Sequence, residues 1–214
     1  MTRFLRLSSL AIVLLAASCA SPYKNLQNES IGNSALRFQP EYKRELYRCV
    51  VDGKVLFKKF HLSGVLLFKE LDTETRVVFQ NEMGLSFFDF SWDKADNFKV
   101  NSIMPELDKP AVIKTLQKDL ALFLMKGLEK GSEQHYSMDD EHFHRFTLDK
   151  GFAYYIEKSA RLMRIVNTGE RKKVITITLE GKEKNRSLPE KVVFEHHKAN
   201  FSIQLTKITA DVNE

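Results

Sequence analysis

The feature that most constrains the fold of this chain is a period-two alternation of apolar and polar residues, which recurs along most of the sequence after residue 54. In the segment 174–179, three aliphatic residues alternate with Thr176 and Thr178. Such alternation is typical of antiparallel strands with one apolar face and one solvated face. The other candidate strands are 54–70, 76–80, 85–92, 98–103, 143–148, 152–157, 162–167, 192–196 and 201–208.

Turn signals separate these candidate strands. Asp52-Gly53 precedes the first of them and is a strong hairpin signal, because both residues tolerate positive φ. The segment 81–84 predicts a second hairpin between strands 76–80 and 85–92. A sheet of about ten or eleven strands must curl or split. The sequence therefore predicts a mainly β protein built on one strongly curved antiparallel sheet.

One segment has a helical period instead. Residues 109–126 place Pro110 in a first turn, where proline is accepted, and repeat apolar residues at spacings of three and four. The stretch 120–125 is apolar all round, which indicates that this half of the helix is enclosed. We expect this one apolar helix to lie on the concave face of the curved sheet.

The N-terminus carries an export signal. Arg3 and Arg6 precede an apolar run at 10–17, which is followed by Ser18 and Cys19. This layout is typical of a secretory signal, and the run is far shorter than the roughly 20 residues of a transmembrane helix. The ending resembles a bacterial lipobox, although Ala16 stands where the lipobox usually has leucine. We expect a signal peptide at 1–18 and a lipidated Cys19; the alternative is an ordinary signal with a chance cysteine.

Composition after the signal predicts a tether and one domain. Residues 19–35 are polar and are interpreted as a flexible tether, and 36–214 as a single domain that we expect to be monomeric. Loss of Arg3 and Arg6 lowers the formal net charge from +5 to +3, and the remaining basic residues are interleaved with acids, so no nucleic-acid partner is expected. Cys49 would have no partner beside a lipidated Cys19 and is predicted to be buried.

The densest polar cluster surrounds His142 and His144, with acidic residues at 139–141 and His135 nearby. In a strand, His142 and His144 share a face and could bind zinc or copper. The alternative is a charged loop with solvated histidines, and it is preferred because the spacing places no third ligand. We therefore expect no bound metal. The sequence also contains no nucleophile elbow and no phosphate-binding loop, so we expect no cofactor, no catalytic residue and no enzyme activity.

The whole layout resembles a known superfamily. A lipidated N-terminus, a long antiparallel meander and an apolar helix on the concave side are similar to the lipoprotein carrier LolA and its outer-membrane receptor LolB. The segments 60–71, 76–90 and 112–124 also look like a lipoprotein family of Bacteroidetes with no assigned function. The resemblance implies a half-barrel, and LolB-type function implies an exposed apolar loop that touches the membrane, for which Met83 is the candidate.

Function is predicted from this resemblance and from the aromatic residues. The first hypothesis is an outer-membrane lipoprotein that binds a lipid, an acyl chain or a lipidated protein in the apolar concavity. The alternative is a solid-cored structural or interaction lipoprotein in envelope assembly. The residues after Cys19 lack the aspartate of inner-membrane retention and resemble those of proteins on the periplasmic face of the outer membrane. The predicted lining of the concavity is Phe88, Phe90, Trp92, Leu116, Leu120 and Phe123.

Overall fold

A computed structural model of the protein describes residues 23–30, 32–55, 58–170, 172–181 and 186–209. The predicted signal peptide 1–18 and Cys19 lie outside these residues. The first strands are β1 (Gln27–Glu29), β2 (Arg44–Val55), β3 (Lys58–Glu70), β4 (Glu74–Gln80), β5 (Ser86–Asp93) and β6 (Phe98–Ile103). Helix α1 (Pro110–Phe123) follows. The remaining strands are β7 (Glu133–Met138), β8 (Glu141–Thr147), β9 (Phe152–Lys158), β10 (Arg161–Thr168), β11 (Lys173–Glu180), β12 (Lys191–His196) and β13 (Phe201–Lys207).

All thirteen strands form one antiparallel sheet in the order β1-β7-β8-β9-β10-β11-β12-β13-β2-β3-β4-β5-β6. Most neighbours in this order are joined by a short connection along the chain, and the pairing of β13 with β2 joins the two halves of the meander. Strands β1 and β6 remain as edges, so the sheet does not close on itself.

The sheet is curved around α1. The Phe123 ring of the helix lies 5.6 Å from the Phe68 ring on β3 and 5.7 Å from the Phe194 ring on β12, between centroids. In a flat sheet these two strands, three positions apart, would be separated by about 14 Å. Both can meet one side chain because the sheet wraps towards it. The predicted half-barrel with one helix on its concave face is confirmed.

The helix lies within the predicted segment 109–126, and its buried residues are confined to the C-terminal half: Asp119, Leu120, Leu122 and Phe123. Cys49 is also buried, as expected, and burial raises the pKa of its thiol to about 12. In the part of the chain that the structure describes, no helix is long and apolar enough to span a membrane.

The predicted hairpin is formed by β2 and β3, but Asp52-Gly53 is not its turn. Both residues lie inside β2, opposite His61 and Phe60, and β2 continues to Val55. Gly53 instead allows the Phe60 ring to pack against the backbone of β2, because a Cβ at residue 53 would lie 2.2 Å from that ring.

The segment 19–35 also differs from the flexible tether that its composition predicts, as far as it is described. Residues 27–29 pair with β7 as strand β1, and the Tyr23 ring packs 4.6 Å from the Tyr154 ring on β9. Ala35 is fully buried at the start of a short 3-10 helix, Ala35–Phe38. A few apolar anchors within a polar sequence are enough to dock this segment against the sheet.

Candidate ligand-binding site on the concave face

The six residues predicted to line a concavity share one hydrophobic cluster. Three of them lie on β5 and three on α1, and all are buried except Leu116, which is partly buried: Phe88, Phe90, Trp92, Leu116, Leu120 and Phe123. The Phe88 and Phe90 rings lie 4.4 Å apart and nearly parallel. The structure thus brings these residues together, and their role in binding a ligand stays a prediction.

Side chains of α1 pack directly against those of the sheet beneath it, as the Phe123 contacts with Phe68 and Phe194 show. Three surface pockets among the described residues have other linings: one between β2, β3 and β13, one beside Tyr42 and Arg186, and one beside His135 and His144. A ligand in the concavity would therefore need α1 to move away from the sheet.

Two buried polar contacts hold the C-terminal half of α1 to the sheet. Asp119 Oδ2 lies 2.9 Å from His196 Nε2 on β12, at angles outside hydrogen-bond geometry. The Tyr155 hydroxyl on β9 donates a hydrogen bond of 2.9 Å to the Leu122 carbonyl. Burial raises the pKa of Asp119 above its ordinary value, and the adjacent His196 offsets part of that rise. Nothing in the helical periodicity predicts that Asp119 is buried, because it lies between a charged residue, Lys118, and the apolar run.

The N-terminal half of α1 is held weakly. None of residues 110–118 is buried, and Lys109 at the N-cap makes no side-chain hydrogen bond to the helix. The first turn contains no acidic residue to interact with the helix dipole. The opposite end is fixed, since Asp96 Oδ2 accepts a hydrogen bond of 2.7 Å from the Gly127 backbone N–H. The helix is therefore attached at one end and free of strong contacts at the other.

An exposed apolar tip lies between β4 and β5. Met83 is 90% exposed and Leu85 is 58% exposed. Asn81 Oδ1 fixes the turn by accepting hydrogen bonds from the backbone N–H groups of both, at 3.0 Å and 2.8 Å. This tip is the feature that the LolB resemblance led us to expect at Met83.

The two histidines singled out in the sequence lie in different environments. They share a face of β8, but His142 has a side chain 54% exposed and contacts Glu29, whereas the His144 side chain is only 4% exposed. The expectation of solvated histidines is therefore wrong for His144. His135 on β7, which spacing alone did not place, lies directly opposite His144.

Comparison with known proteins identifies the fold. The structure is similar to that of a putative outer membrane lipoprotein-sorting protein domain from Vibrio parahaemolyticus, with a TM-score of 0.50 and 11% identity over 80% of this chain and 86% of that one. A LolA superfamily protein from Nitrosomonas europaea has a TM-score of 0.50 and 12% identity over 81% and 88% of the two chains. No protein-family model and no curated protein matches the sequence. The chain has the LolA/LolB-like fold, as the resemblance implied.

Proposed function

We propose that this protein is a lipoprotein anchored through acyl chains on Cys19 at the periplasmic face of the outer membrane, and that it binds a lipid, an acyl chain or a lipidated protein between α1 and the sheet. The observation that carries the proposal is an apolar concave face covered by a single helix that is fixed at one end. Such a helix can move aside without breaking any hydrogen bond of the sheet. The protein acts as a monomeric binding protein without cofactor or catalysis.

The exposed tip at Met83 and Leu85 supports contact with a membrane. Two apolar side chains at the end of a rigid hairpin can enter the interfacial region of a bilayer, where their burial is favourable. The acyl anchor would keep this tip close to a bilayer, since each buried methylene contributes about 0.8 kcal/mol. The fold shared with a lipoprotein-sorting domain is consistent with this role.

A second candidate function is favoured by the filled interior. A concavity occupied by its own aromatic residues is also what a solid-cored structural module requires. In that case the protein would brace an envelope complex through its surface, and α1 would remain on the sheet.

Fluorescent fatty-acid binding by the delipidated mature protein separates the two functions. The carrier function predicts saturable binding that Leu120→Glu abolishes, because a carboxylate would then lie in the apolar concavity. Ala111→Glu, at an exposed position of the same helix, is the matched control and should bind normally. Leu116→Glu is a second lining variant at a partly exposed position, and far-UV circular dichroism confirms that each variant is folded. Absence of saturable binding by the unmodified protein would exclude the carrier function.

A further inference from the structure

A second cluster of side chains lies on the concave side of β7 and β8, away from α1. Glu133 and His135 are two residues apart on β7 and therefore share a face, and His144 on β8 is the cross-strand partner of His135. One ligand atom from each of the three lies within 4.8 Å of the others. Carboxylate oxygen and imidazole nitrogen are the ligands that zinc takes in proteins.

We infer that Glu133, His135 and His144 form a binding site for a divalent transition-metal ion of the zinc class. Glu133 Oε1 lies 3.0 Å from His144 Nδ1 and 3.9 Å from His135 Nδ1. Zinc bonds to nitrogen and oxygen of about 2.0–2.2 Å place tetrahedral ligand atoms about 3.3 Å apart. Because all three pairs lie within 4.8 Å, no pair has to close by more than about 1.5 Å to enclose such an ion.

Both ring nitrogens of His144 face carboxylate oxygens. Its Nδ1 faces Glu133, and its Nε2 faces Glu157 Oε2 at 3.1 Å. An ion bound between Nδ1 and Glu133 would leave Nε2 to face Glu157.

Glu157 has the position of a residue that orients a metal ligand. Metal-binding histidines usually donate their second nitrogen to a carboxylate, which fixes the ring and its tautomer. Glu157 is itself held by an ion pair with Arg37, from the 3-10 helix Ala35–Phe38. Glu133 is held in the same way, because its carboxylate accepts hydrogen bonds from Ser34 Oγ at 2.6 Å and from the Ala35 backbone N–H at 2.8 Å.

His135 provides an independent indication. Its Nδ1 is buried and has no hydrogen-bond partner, which is uncommon for a polar atom in a protein interior. The residue that packs on its ring is Gly32, where a Cβ would lie 2.7 Å from Nδ1. A glycine at this position leaves the space in which the ring can rotate towards Glu133.

Two of the three ligands lie beside a surface pocket. His135 and His144 border a pocket of about 380 Å³ whose other lining includes Asn33 and His142. A water molecule or a small exchangeable ligand would complete the tetrahedron there. Because Ser34, Ala35 and Arg37 all contact the carboxylates of the site, a bound ion would also fasten the segment after the membrane anchor to the sheet.

Titration of Zn²⁺ and Co²⁺ into the full-length protein, purified without a histidine tag and stripped with a chelator, tests this inference. We expect one ion per chain by calorimetry, and visible ligand-field absorption of bound Co²⁺ with the intensity of a low-coordinate nitrogen and oxygen site. Glu157→Gln should weaken zinc binding about 10–100-fold. His135→Gln should weaken it further, because it removes a ligand.

His142→Gln is the matched control, because His142 lies on the same face of β8 but outside the cluster, and it should bind zinc as the unmodified protein does. The Co²⁺ spectrum requires no variant, so a variant that fails to fold leaves the test intact. A folded, unmodified protein that shows no saturable binding of either ion would overturn the inference. Equal losses of affinity in His135→Gln and His142→Gln would overturn the assignment of ligands.

Discussion

At the scale of single residues, the buried carboxylate of Asp119 most affects how the helix meets the sheet. Burial disfavours its charged form and raises its pKa, and His196, with a smaller contribution from Lys118, offsets part of this rise. Sequence patterning cannot identify such a residue, since a polar position beside an apolar run is usually solvated. The same is true of Gly53, because the sequence does not distinguish a glycine in a turn from a glycine packed against an aromatic ring.

The raised pKa of Asp119 predicts a pH dependence. Its folded pKa lies above the ordinary value of 3.8, so its contribution to stability is complete below that pH and is lost as the pH rises through the folded pKa. Relative to Asp119→Asn, the unmodified protein should lose stability from about pH 4 upward, by at most about 1.4 kcal/mol per pH unit. Urea unfolding at several pH values measures this difference. Parallel stability curves for the two proteins would contradict it, and the exposed Glu129→Gln is the control.

Gly64 predicts a second effect at this scale. A Cβ on this β3 residue would lie 2.0 Å from the Gln80 carbonyl oxygen, which belongs to the backbone and cannot move aside easily. We expect Gly64→Ala to lower the free energy of unfolding by about 1–3 kcal/mol. Gly131→Ala is the control, because its Cβ would have 3.5 Å of space and its φ of −102° suits any residue. Equal stability of the two variants in urea unfolding would contradict this expectation, because it would show that the backbone near Gln80 moves away from the new Cβ at little cost in free energy.

At the scale of elements, alternation predicts those strands whose inward face is apolar. Strands β3 to β6 and β8 to β13 correspond to segments found in the sequence, and α1 corresponds to its only helical period. Strand β7 could not be found in this way, because its inward residues include Glu133 and His135. These two polar residues, which prevent β7 from being recognised in the sequence, are also two of the three ligands of the inferred metal site.

The weak N-terminus of α1 predicts that a better cap will hold the helix on the sheet. Lys109 has the extended backbone of an N-cap residue, with φ of −131°, but no capping side chain. Lys109→Asp should raise the free energy of unfolding by about 1 kcal/mol. If lipid uptake needs this end to move, the same variant should bind fluorescent fatty acid more weakly. Lys114→Asp makes the same change of charge at an exposed position within the helix and should change neither the stability nor the fatty-acid binding. If both variants had the same effects, the change of charge and not the helix cap would be their cause.

The tip between β4 and β5 predicts membrane contact. Met83→Glu should reduce co-flotation of the delipidated protein with liposomes, because a charged side chain is costly to place at the bilayer interface. Its stability should change by less than about 0.5 kcal/mol, since the side chain is almost fully exposed. Ile208→Glu, which changes an exposed apolar residue elsewhere, is the control. Equal loss of flotation in both variants would mean that the tip has no special role.

At the scale of the whole molecule, the curved sheet and its helix could be predicted, and the state of the concavity could not. A large number of half-buried strands requires curvature, and one apolar helix then has a single place to pack. Whether the interior is open or filled depends on the rotamers of residues such as Phe90 on β5 and Phe123 on α1, which lie far apart in the sequence. The pairing of β13 with β2 is likewise a non-local contact that alternation does not specify.

The most direct test of the carrier function is native mass spectrometry, with lipid extraction, on residues 20–214, which lack the anchor cysteine, exported to a periplasm and purified without detergent. We predict a stoichiometric lipid or acyl-chain adduct, and its loss in Leu120→Glu but not in Ala111→Glu. An adduct would also name the chemical class of the ligand. If the unmodified protein and both variants show only the mass of the bare protein, the carrier function is contradicted and the solid-cored module is favoured.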